Sequence, residues 1–385
     1  MEISKRYSKR KLDGHPTPEE IVVDDLAGYI QLFSSGAFTN NYFRGEPTNY
    51  RDTISSGLRS VASNIGFNAK IEPHTEVPFL SMKKEFKREV WHKLSADERM
   101  HFSAFSQHHG IPTNLIDITN SPLVALYFAC QSFKNVQDGN DQFDENKGFV
   151  YSFEDKFVDI TDVLTKYEDE NILEIFAFDK NEIFMYMYNL LLKYELKYPF
   201  AFYNYFNNLI QENHKYFSNH LDYTIPQTLE LYDNEAYKLY IWDYIYSLIE
   251  NERKLKGYYR QIEDVSHAVF LYTAYLQSFL NNILSFTPTI WWFNLIMPDF
   301  KYAPILTFER GRNQQGLFIY QTYLNYIEET YDTPIATLQR VWPNKIIVIN
   351  NKEKILKELD FMGINEKFIY GSYDHIASYI RKKFQ

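Results

Sequence analysis

The chain of 385 residues has one cysteine, Cys130. That excludes an internal disulfide and a cysteine-rich zinc site, and it fits a reducing cytoplasm. Positive charge is also short: 40 Lys and Arg against 50 Asp and Glu leave a net charge of -10 and a pI near 5.5. The chain as a whole therefore offers no counterion-release surface for general nucleic-acid binding or for an anionic membrane. A local basic cluster at Lys5, Arg6, Lys9, Arg10 and Lys11 reads as a solvated terminus. No apolar stretch follows it, so no secretory signal is expected. The most apolar window, Ala268 to Met297, is interrupted by Gln277, Asn281, Asn282 and Pro288. It falls short of the about 18 unbroken apolar residues a membrane span needs. A Walker lysine loop, a Gly-x-Gly-x-x-Gly turn and a nucleophile elbow are missing too, which removes ordinary NTPase, Rossmann dehydrogenase and Ser-His-Asp hydrolase readings.

What the chain does have is concentrated between Gln107 and Cys130. Gln107, His108, His109, Gly110, Pro112, Asn114 and Asp117 pack imidazoles, turn formers and a carboxylate into one short loop. Ser121-Pro122 then supplies an N-cap and a first-turn proline for an apolar helix through Leu123, Ala125, Leu126 and Phe128. A polar loop anchored by a buried helix is how folds hold sites. Taken singly, the histidines and Asp117 also fit plain turn and capping roles.

Elsewhere, Thr17-Pro18-Glu19-Glu20 reads as a capping box opening a helix to about Phe33, and Asn40 to Arg44 as a short strand ending at Gly45. The strand end would project Arg44, whose planar fork suits phosphate; a salt bridge with Glu46 is the alternative. Helical spacing recurs from Phe79 to Leu94, and Ser95-Ala96-Asp97-Glu98 is a second capping box leading to Gln107. Strands are expected at Gly148 to Phe153, Leu317 to Tyr320 and Lys345 to Asn350, with helices at Asn351 to Phe361 and Ser372 to Lys383.

From about Asp159 to Phe300 the composition shifts to Tyr, Phe, Leu and Ile at helical spacing: Ile183, Met187, Leu190, Leu191, Tyr194; Leu239, Trp242, Tyr246, Ile249; Val265, Val269, Tyr272, Leu276, Phe279, Leu280, Ile283. This is an all-helical stretch whose aromatics read first as core. The sharper reading makes surplus aromatics, with Trp291-Trp292 beside Pro288, a surface for homo-oligomerisation.

The Gln107 to Ala129 run, with Phe43-Arg44-Gly45 upstream, resembles the FRG domain, a family of bacterial and phage-associated proteins. The segment Arg310-Gly311-Arg312-Asn313-Gln314-Gln315-Gly316-Leu317-Phe318 is similar to a later family motif. There Arg312 would offset Asn114, which stands where the family carries Arg. The order of motifs also resembles, more weakly, the ADP-ribosyltransferase superfamily.

These resemblances imply an α+β domain with a mixed sheet, in residues 1–155 and 301–385, interrupted by an inserted all-helical bundle over 156–300. They imply a nucleotide ligand, NAD, held by Arg44, Gly45, Gln107, His109, Asn114, Tyr127, Arg310 and Arg312. Arg44, His108, Asp117, Thr119, Glu309 and Gln314 would do chemistry, with Glu309 to Gln315 as a strand. Cleaving a nicotinamide-ribose bond needs a cation on the pyrophosphate and a carboxylate facing the ribose. Gln314 stands where that carboxylate is expected, and Asp117 is its substitute. The implied role is an intracellular toxin or anti-phage defence factor acting on a protein target or answering a phage-derived trigger. A non-catalytic nucleotide sensor is the alternative. A metal-dependent nuclease is the third reading, although His108, His109 and Asp117 lack ligand spacing and no metal is expected.

Overall fold

A computed structural model describes residues 16–50, 53–59, 78–133, 144–167, 170–202, 243, 245–262, 267–284, 293–325 and 335–384. The basic cluster at Lys5 to Lys11, the period at Leu239 and Trp242, and Trp291-Trp292 lie outside these residues. The fold is α+β. Its centre is an eight-stranded mixed sheet built from β1 (Glu19–Val23), β2 (Asn41–Glu46), β3 (Leu115–Thr119), β4 (Gly148–Glu154), β5 (Val158–Asp159), β6 (Phe300–Tyr302), β7 (Gly316–Tyr320) and β10 (Lys345–Ile349). Strand order is β1-β10-β4-β2-β3-β7-β6-β5; a separate hairpin pairs β8 (Tyr323–Asn325) with β9 (Ile335–Leu338). β1 lies parallel to β10 and β5 parallel to β6, and the other pairs are antiparallel.

The first element departs from expectation. Glu19–Val23 is a strand, and the helix begins only at Leu26, capped by Asp25, whose carboxylate accepts from the Gly28 amide at 2.8 Å. Ile21, Val22 and Val23 are β-branched, and pairing with Ile347, Val348 and Ile349 overrides the capping-box pattern upstream. The second capping box forms as expected, with Ser95 and Glu98 satisfying each other's backbone.

Side chains alternate across the sheet and define two faces. On one, Phe43, Val150, Ile347 and Ile349 pack under the Pro122–Ala129 and Lys352–Phe361 helices. On the other, Tyr42, Ile116, Ile118, Tyr151, Leu317 and Ile319 pack with Phe157, Val341 and Trp342. The Pro122–Ala129 helix lies unusually close to its face. A Cβ at Gly45 would sit 1.8 Å from the Ala125 carbonyl oxygen, and one at Gly148 2.2 Å from that of Ala129. Only glycine admits that contact.

The helical stretch does not form a core of its own. Ile183, Phe184, Met187 and Leu191 from the Ile183–Lys197 helix, and Phe270, Tyr272, Leu276 and Leu280 from the His267–Leu284 helix, share one apolar cluster with Leu115, Phe318 and Tyr320 of the sheet. Tyr272 and Phe279 are both buried, so these aromatics are core. β5 and β6 bracket the stretch and are themselves sheet strands. No helix among the described residues is long and apolar enough to cross a membrane.

Candidate functional site

Asp117 is the anomaly of the sheet. It occupies the middle of β3, a central strand, between the buried residues Ile116 and Ile118, yet its side chain is exposed. β7 places Phe318 opposite it, and the Phe43–Thr119 pairing extends along β2 to put Gly45 at its other side. The backbone of the Pro122–Ala129 helix lies directly against Gly45. Asp117 stands exposed at the border between two apolar clusters of this face, one packing around Phe43 and the other around Leu115 and Phe318, and that border is the candidate notch. Gln107 Nε2 donates to Asp117 Oδ2 at 2.9 Å, and Thr113 Oγ1 donates to Gln107 Oε1. The amide is thereby fixed with its NH2 toward the carboxylate.

One residue away, His108 stacks on Phe308 with centroids 3.9 Å apart and meets His109 edge-on at 4.9 Å. Burial, then the neighbouring His109 and Arg310, push its pKa down to about 4. Its imidazole is neutral at physiological pH. Arg310 lies over the ring of Tyr370 at 5.1 Å and makes no ion pair among the described residues. Tyr370 in turn stacks on His375 at 4.3 Å. The Arg310 guanidinium thus rests on one stacked aromatic pair and acts electrostatically on His108, whose chain neighbour Gln107 holds Asp117.

Arg44 is elsewhere. It alternates with Phe43 and Gly45, so it projects from the opposite face of the sheet, beside Tyr151 in the paired strand. Its Nε donates to Glu46 Oε1 at 2.8 Å and its Nη1 to the Asp117 carbonyl at 2.9 Å. Burial works against its charge, but Glu46 and Asp117 more than offset this and raise its pKa. Glu46 is buried and also accepts from Thr53 Oγ1 at 3.3 Å. The salt-bridge alternative is therefore what the geometry displays, and Arg44 and Arg310 do not converge on one cleft.

Several other candidates hold the scaffold together. Residues Glu309–Gln314 form a helix, not the expected strand, because Gln315 at φ 48° ends it and Gly316 begins β7. Thr119 Oγ1 donates to the Gln314 carbonyl at 2.6 Å, and Gln314 Nε2 to the Ile369 carbonyl at 3.3 Å. Asn114 is buried, donating to the Gln321 carbonyl at 3.1 Å. Arg312 is exposed, as is Glu309, whose carboxylate lies against Gly371. His109 packs on Phe105 at 4.4 Å. Tyr127 is buried, and desolvation followed by Tyr370 and Glu366 raises its pKa, so its hydroxyl keeps its proton. Phe308, Tyr370 and His375 were not among the candidate site residues, although Phe308 opens the motif that holds Arg310 and His375 lies in a segment similar to the end of the domain.

Among the described residues, no group of three His, Cys, Asp or Glu is arranged to hold a metal ion. Residues 39–138 match the family model of the FRG domain. That span holds Arg44, Gly45, the Gln107 to Asp117 loop, Thr119 and Tyr127, and it stops well before Arg310 and its partners. No curated protein and no solved structure matches the chain.

Proposed function

We propose that the notch at Asp117 binds NAD and that the chain is an ADP-ribosyltransferase-like effector. The observation that supports this reading most is Asp117 itself: an exposed carboxylate in the centre of a sheet, held by a fixed amide. A strand position of that kind costs core packing, which a site repays and a plain core does not. The donor set fits the ligand. Asp117 would face the ribose, where it favours the positive charge that develops as the bond to nicotinamide breaks. Arg310, free of any acid partner among the described residues, would take the pyrophosphate oxygens in place of Arg44. The His108–Phe308 and Tyr370–His375 pairs offer aromatic faces for a flat ring, and His108 is neutral there. NAD brings its own activated glycosidic bond, so the protein need only bind, orient and stabilise charge. A toxin or anti-phage defence role, with a protein acceptor, belongs to this reading.

A sensor that binds without turnover is the second reading. It is favoured by one observation: Gln107 already engages Asp117, and Gln314 is spent on the Ile369 carbonyl. One experiment separates the two. The protein is heated with and without NAD and the mixture is assayed for nicotinamide. A raised melting temperature with nicotinamide release is the expected result. A shift without release leaves a sensor. Neither shift nor release ends the nucleotide reading.

A further inference from the structure

The last helix, Tyr373–Lys383, is amphipathic the wrong way round. None of its residues is buried. It holds the body through polar groups: Tyr379 donates to Asp360 at 2.6 Å, Lys382 pairs with Glu366 at 2.6 Å, and His375 stacks on Tyr370. At 3.6 residues per turn those three share one side. The opposite side is a stripe of Tyr373, Ala377, Ile380 and Phe384, all exposed, with Tyr373 at 91%, Ile380 at 48% and Phe384 at 87%. Phe361 and Met362, next to Asp360, are also exposed, at 94% and 51%. Contiguous aromatic exposure of this kind marks a contact surface.

We infer that this stripe pairs with the same stripe of a second copy of the chain, the two helices running antiparallel about a two-fold axis. The sequence of the helix is complementary to its own reverse. With the axis between Ser378 and Tyr379, Tyr373 faces Phe384 of the other copy and Ala377 faces Ile380. Small Ala377 near the centre lets the backbones approach. Asp374 and Arg381 flank the stripe on the same side, and two-fold symmetry brings one helix's Asp374 within two residues of the other's Arg381, inside the reach of an arginine side chain. An isologous contact of this form satisfies both charges twice. An anionic lipid surface fits less well. Asp374 would face it, Lys382 is tied inward to Glu366, and the chain's net charge is -10. The stripe does not depend on the nucleotide reading, although His375 carries it to the wall of the candidate site.

The test is sedimentation of the full chain from about 1 to about 200 µM, the range in which a small interface responds to mass action. Wild type should pass from monomer to dimer. Ile380→Glu should raise the dissociation constant at least about tenfold with an unchanged melting temperature, because the side chain is exposed. Asp374→Arg alone should weaken the dimer, and Asp374→Arg with Arg381→Asp should restore it. A monomer throughout, or a dimer indifferent to Ile380→Glu, overturns the inference. So does a monomer that floats with vesicles containing about one-third phosphatidylserine, which would hand the face to lipid.

Discussion

Arg44 and Arg310 come from motifs that look alike in sequence, and the fold gives them opposite duties. Arg44 is 18% exposed, locked to a buried glutamate and to the carbonyl of Asp117. Arg310 rests on an aromatic ring and makes no ion pair among the described residues. The difference teaches that a cation is available to a ligand only when the protein has not already neutralised it. A buried arginine beside a buried acid is part of the scaffold.

The sharpest way to break this comparison is Arg44→Ala. It leaves Glu46 buried without its cation, and a loss of about 3–5 kcal/mol of stability is expected from denaturant unfolding. Replacing both partners, Arg44→Met with Glu46→Leu, should recover much of that loss. If Arg44→Ala instead melts like wild type and loses NAD binding, the two arginines have been assigned the wrong way round.

Asp117→Asn keeps an acceptor for Gln107 but removes the charge. Nicotinamide release should fall about 100- to 1,000-fold, while the NAD-induced melting shift survives. Retained turnover in this variant would move the chemistry away from β3. Arg310→Ala comes next. Losing its contact with Tyr370 costs stability only about 0.5–1 kcal/mol, whereas calorimetry should show NAD affinity reduced about ten- to a hundredfold.

A further effect is on pH. The folded pKa of His108, about 4, lies below its ordinary 6.5, so the unfolded chain takes up that proton first. Its contribution to stability is whole above about pH 6.5 and is lost as pH falls towards 4. His108→Phe keeps the stack on Phe308 and should flatten the acid side of a melting-temperature profile. An unchanged acid slope would mean that His108 is solvated in the folded state.

Much of this was legible in the residues. The Ser121 cap, the first-turn proline and the apolar run after it specify the Pro122–Ala129 helix. The strands at Gly148, Leu317 and Lys345 announce themselves by β-branched and aromatic runs. β1 was hidden because its partner, β10, lies more than 300 residues away, and no local pattern reports such a pairing. The same limit explains the site. Asp117 stood out by its company in sequence, but which face Arg44 takes depends on the pleat counted from Phe43 and Gly45. The aromatic support of Arg310 comes from Tyr370 and His375, which no spacing ties to Arg310 along the chain.

The parallel pairing of β1 with β10 also governs when the sheet can be completed during synthesis. Residues 19–23 wait for residues 345–349, and the walls around Asp117 wait for Phe308, Arg310 and Tyr370. At about 5–20 residues per second, a ribosome spends most of its transit on a chain whose cleft is not yet assembled. An interrupted product therefore leaves β1 without its partner strand. The last strand and helices thus complete the sheet and its covering layers, in the order in which the polypeptide emerges.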